Sequence, residues 1–123
     1  MKDAAAMLGV DAVHVGPSGF DIPGQVNMLE NLLEAGVDGL ALFIPIPGSM
    51  DKIIEKYLGR GIPVLILCTG DEAAEKYGLA YIGEDNYGAG LLWGKKILEL
   101  LGPNYLGKRV AFLIESPGQT SLE

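Results

Sequence analysis

Residues 61–68 read GIPVLILC, an apolar run without a charged side chain. A strand with one wet face alternates apolar and polar residues, whereas a strand covered on both faces reads as continuous apolar sequence. The run therefore predicts a parallel strand inside a sheet with helices on both sides. DGLALFIPIPG, residues 38–48, reads as a second buried strand, stopped by Pro45 and Pro47. Parallel neighbours need long crossovers, usually helices. A helical pattern accordingly lies between the two runs.

Ser49 is expected to cap a helix over 50–58, with Ile53, Ile54, Tyr57 and Leu58 on its apolar face. Upstream, Asp21 can cap a helix in which Ile22, Val26, Leu29 and Leu33 recur at helical spacing. Downstream lie a helical turn over 73–76, a short strand over 79–82 and a long helix over 86–101, which Asp85 can cap. Val10–Val15 and KRVAFLIE, residues 108–115, read as further strands. The first eight residues read as the last turns of a helix, so the chain looks like a fragment. Gly36, Gly61 and Gly102 follow helices and are expected to reach positive φ there.

Strands alternating with helices predict an α/β fold, a three-layer parallel sheet. At 123 residues the chain fits a single α/β lobe over residues 1–123. In such sheets ligands bind beyond the carboxyl ends of the strands. The loops 16–21, 43–49, 68–72, 83–87 and 116–121 are therefore the ones that can carry function.

Composition removes several function classes. The net charge is −7 and the nine basic residues are scattered. This argues against nucleic acid and anionic lipid, which need clustered Lys and Arg. No apolar run nears the roughly 20 residues of a membrane helix. A single cysteine excludes an intrachain disulfide. The amino terminus lacks the long apolar region of a signal peptide.

No catalytic set appears, so no enzyme activity is expected. His14 sits within an expected strand and has no second histidine to build a metal site. Cys68 reads first as a small buried thiol at a strand end. AGLLWGKK lacks the features of a phosphate-binding loop, and the glycines near Gly88 miss the dinucleotide spacing. No cofactor is expected. Asp71 can form a turn or bind a ligand hydroxyl; Asp85 can cap a helix or face the cleft. Phe43 and Tyr87 are expected near the same rim, as packed residues or as stacking faces for a sugar.

VGPSGFDIPGQVNMLENLLEAGVDGLAL, MDKIIEKYLGRGIPVLIL and YIGEDNYGAGLLWGKKI, in this order and spacing, resemble the amino-terminal lobe of type I periplasmic binding proteins. The sugar-binding branch of ABC importers, ribose-binding-protein-like, is the most similar, and the resemblance covers nearly the whole chain. It implies a flavodoxin-like lobe with sheet order 2-1-3-4-5 and a carbohydrate held between two lobes. It also implies an extracytoplasmic parent protein. Phe43, Cys68, Thr69, Asp71, Asp85 and Asn86 then fall at the ligand side.

The sequence departs from the family pattern in three ways. The family's first strand is absent. Cys68 and Thr69 stand where many sugar binders carry Asp or Asn and a polar residue, and Ile46 is apolar where a polar residue is common. The chain is thus expected to be a truncated or engineered half without tight ligand binding of its own. Residues 109–115 are expected to fill the empty central slot, giving the order 10–15, 109–115, 38–43, 62–67, 79–82. The filling is within one chain or through a strand-exchanged homodimer. Two other readings share the fold: the effector-binding lobe of a transcription regulator, and a flavodoxin-like protein in which Ser116 and Thr120 cradle a flavin phosphate.

Overall fold

The computed structural model describes residues 2–113. The chain divides into two compact units, Met1–Val37 and Asp38–Glu123.

The first unit holds two helices, α1 (Lys2–Leu8) and α2 (Ile22–Ala35). Asp21 caps α2, its carboxylate accepting from the Gly24 N–H at 2.9 Å. Pro23 falls in the first turn, where the missing N–H has no intrahelical role. Gly36 closes the helix at φ 80°, and its N–H donates to the Leu33 carbonyl. Leu29 and Leu33, four apart on one face, are buried.

The second unit is built on three parallel strands: β1 (Leu40–Phe43), β2 (Val64–Cys68) and β3 (Ala80–Gly83), in the order β1-β2-β3. The register sets Leu42 beside Ile66 and Ile66 beside Tyr81. Helices α3 (Asp51–Gly59) and α4 (Asp71–Tyr77) are the crossovers, and α5 (Asn86–Leu101) follows β3. Helix α3 packs on β2, and α4 packs on β2 and β3. Ile53, Ile54, Tyr57, Leu42, Ile66, Ile44 and Met50 form the core. Burying a Leu or Ile side chain contributes about 1.5–3 kcal/mol, so this cluster is where the second unit is held together. On the surface, the Lys76 ammonium donates to Asp51 at 2.6 Å and lies over the Tyr77 ring, and the Tyr77 hydroxyl donates to Glu55. These contacts link α3 to α4.

Most expected elements are present within a residue or two, and the helix over 86–101 matches in full. Three expectations are corrected. Residues 10–15 form no strand; Val10, Val13 and Val15 are exposed. Residues 109–113 form no strand either, so they do not fill a central slot in this chain; residues 114 and 115 lie outside the described residues. The physical reason is shared: β-prone residues make a strand only when a neighbour completes the backbone ladder. Among the described residues neither segment has such a neighbour, and Leu113 is 102% exposed. Third, Ser49 is not the cap of α3. Met50 takes that position, and the Ser49 hydroxyl donates to the Ile46 carbonyl at 2.7 Å. Gly36, Gly61 and Gly102 all have positive φ, but Gly102, with ψ −167°, lies outside the left-handed helical region.

Candidate functional site at the carboxyl ends of the strands

Three parallel strands end side by side at Phe43, Cys68 and Gly83, and the loops that leave them carry the candidate residues. The loop after β1 turns inward at once. Ile44, Pro45 and Met50 are buried, while Phe43 leaves part of its ring exposed.

The loop after β2 is the most constrained. Cys68 has a φ of +62°, the one non-glycine residue with positive φ among the described residues. The Thr69 N–H donates to the Leu67 carbonyl at 2.6 Å across it. That i-to-i+2 bond makes a γ-turn of the uncommon, strained hand. The Cys68 side chain is exposed, which corrects the reading of a buried thiol. The physical reason is the turn. Val64 and Ile66 are buried, and a regular strand would send Cys68 to the same face. Thr69 goes the other way: it is 5% exposed, and its hydroxyl donates to the Ile44 carbonyl at 2.6 Å, tying the end of β2 to the end of β1. Gly70, at φ +104°, lies against Ile44, and a Cβ there would sit 2.9 Å from the Ile44 Cβ. Asp71 is exposed at the first position of α4, where its charge suits the helix dipole.

After β3, Asp85 caps α5, its carboxylate accepting from the Gly88 N–H at 2.9 Å. Asn86 opens the helix half-buried, and Tyr87 is exposed beside it. The Tyr81 hydroxyl donates to the Cys68 carbonyl at 2.8 Å. Its phenol is pushed above the usual tyrosine value, chiefly by desolvation, then by the charges of Asp71, Cys68 and Glu84. It therefore stays a donor at neutral pH.

Cys68 and Tyr81 thus meet at the end of the sheet, with the Asp71 charge felt at the Tyr81 phenol, Phe43 ending the strand on one side and Asp85 and Asn86 following the strand on the other. Thr69 is there too, but its hydroxyl serves the fold. His14 is exposed and belongs to no strand. Ser116 and Thr120 lie outside the described residues. Among the described residues no group of three His, Cys, Asp or Glu side chains is placed to hold a metal ion. Sequence reasoning missed Gly70, Tyr81 and Gly83. The last two carried a signal: in YIG they stand two apart and so share one face of a strand.

In open parallel α/β sheets of this kind, ligands bind beyond the carboxyl ends of the strands. The chain belongs to the periplasmic binding protein domain family, whose model matches residues 1–123. It is 31% identical to the xylose/arabinose-binding protein XylF of Sulfolobus acidocaldarius, over all of this chain and 32% of that protein. A solved chain of the XylFII-LytSN complex superposes on 82% of this chain and 36% of its own length, at 26% identity and a TM-score of 0.73. The chain therefore spans about a third of the length of these relatives. No helix among the described residues is long and apolar enough to cross a membrane.

Proposed function

We propose that residues 1–123 are one lobe of a sugar-type solute-binding protein of an ABC importer, acting outside the cytoplasm on a pentose. Its task is binding and not turnover. The observation that carries this is the relative named for xylose and arabinose, aligned over the whole chain at 31% identity. The ligand side is the carboxyl end of the sheet, with Phe43 as a stacking face and Cys68, Asp71, Asp85 and Asn86 beside it. Thr69 contributes by holding the loop.

Sugar hydroxyls are gripped by many hydrogen bonds in a site closed from both sides, and each polar group left unpaired costs about 1–3 kcal/mol. A chain spanning a third of such a protein then binds its sugar only loosely. Two measurements test the reading. Millimolar D-xylose or L-arabinose should shift the amide resonances of residues 43–46, 68–71 and 84–87. Shifts confined to other residues overturn the assigned site. Titration calorimetry should show no tight complex, and a dissociation constant of about 1 μM would mean that this chain alone completes the site.

A further inference from the structure

Position 68 is where strand periodicity and the observed backbone part. Left regular, β2 would carry the Cys68 side chain to the buried face of Val64 and Ile66. The γ-turn sends it outward instead, at the cost of a strained φ. Something must hold that turn. The Cys68 carbonyl accepts from the Tyr81 hydroxyl at 2.8 Å. Tyr81 reaches it along its own strand. Tyr81 and Gly83 share a face of β3, and the register sets Gly83 directly beside Cys68. The ring of Tyr81 lies over Gly83, so closely that a Cβ on residue 83 would collide with the Tyr81 Cζ and hydroxyl and would stand 2.8 Å from the Cys68 carbonyl oxygen.

We infer that Tyr81 is a positioning residue for the ligand side of the sheet, and that Gly83 is there to admit it. Together they lock the β2 turn so that the side chain at position 68 faces the ligand and not the core. Residue 68 thereby becomes a position that selects among ligands, and Tyr81 acts through it without touching the ligand. The functional meaning rests on the sugar-binding reading above; the lock itself does not.

Cys68 is the single cysteine of the chain, so its alkylation by iodoacetamide reads the turn directly. The rate is measured with no sugar present, beside the melting temperature, for the parent chain, Tyr81→Phe, Gly83→Ala and a control, Tyr105→Phe. Releasing the carbonyl lets β2 run on regularly and draws the thiol inward. Tyr81→Phe and Gly83→Ala should each slow alkylation measurably, by up to about fivefold, the ceiling that the equilibrium weight of one hydrogen bond sets, while the control matches the parent. A folded Tyr81→Phe that reacts at the parent's rate overturns the lock. Should either variant fail to fold, the unsubstituted chain still decides. The carbonyl carbon resonance of Cys68 should titrate together with the Tyr81 phenol in alkali, and a resonance that ignores that titration overturns the lock equally. A flat response to pentoses would instead count against the sugar reading and leave the thiol result standing.

Discussion

Two apolar runs of this chain, VLILC at 64–68 and VAFL at 110–113, look alike in sequence and meet opposite ends. The first is the central strand of a parallel sheet, with Ile66 fully buried between two ladders and under helices. The second forms no strand, and Phe112 and Leu113 are exposed. Both runs are wholly apolar. The difference is backbone partnership: β1 and β3 each bring a complete row of hydrogen bonds to β2, and nothing among the described residues brings one to 110–113. An apolar run states what a strand would bury. It does not state that a slot exists for it.

The largest contrast should come from matched substitutions in the two runs. Ile66→Ala should cost about 3 kcal/mol through lost burial and a residual cavity. Ile66→Asp should abolish the cooperative unfolding transition, since it buries an unpaired charge. Both are read by urea denaturation. Gly70→Ala comes next. It forces a Cβ against Ile44 at a φ that only glycine holds without strain, at a cost of about 2 kcal/mol. A Gly70→Ala chain with the parent's midpoint would show that the link between β1 and β2 is looser than the geometry indicates.

Alkali should produce a smaller effect, confined to the side of the comparison that is packed. The phenols of Tyr57 on α3, Tyr77 on α4 and Tyr81 on β3 are each pushed up, first by desolvation. A folded value above the unfolded one means that the folded state holds the proton more tightly. Their contribution is fully present below about pH 10, the unfolded value, and is lost as pH rises through the folded values. Denaturation midpoints should accordingly stay level up to about pH 9 and fall above pH 10. Tyr81→Phe should remove part of that fall. The smallest effect is expected at the other run: Phe112→Asp should leave the midpoint within about 0.5 kcal/mol of the parent, as surface changes usually do. If this variant unfolds, 110–113 has a buried partner after all, and the contrast between the two runs collapses.

The sequence carried the fold wherever local signals and burial agreed. Asp21 and Asp85 stand three residues ahead of the N–H groups they cap, and both caps are formed as expected. The apolar stripe Ile53, Ile54, Tyr57 did mark the buried face of α3. The readings failed where a residue's type gives no notice of its backbone. Cysteine seldom adopts positive φ, so nothing in ILCTG announces a γ-turn, and the reading of Cys68 as a small buried thiol at a strand end missed its exposure. Thr69 came to the ligand side through the family resemblance; its hydroxyl donates to the Ile44 carbonyl, a bond between residues 25 apart that no local pattern reveals. Tyr81 and Gly83 were legible in principle, as a large and an absent side chain on one face of a short strand.

Helix α5 has no buried residue, and it carries Trp93, the single tryptophan of the chain, a residue 56% exposed. The molecule therefore contains a built-in optical reporter. Trp93 should emit at the long wavelengths of a hydrated indole and be quenched readily by iodide or acrylamide. Anything that later covers α5 will shift that emission to the blue and shield it from quencher. A sugar at the carboxyl ends of the strands, by contrast, should leave the indole's water undisturbed. One cuvette measurement can thus separate events on the helix from events at the sheet.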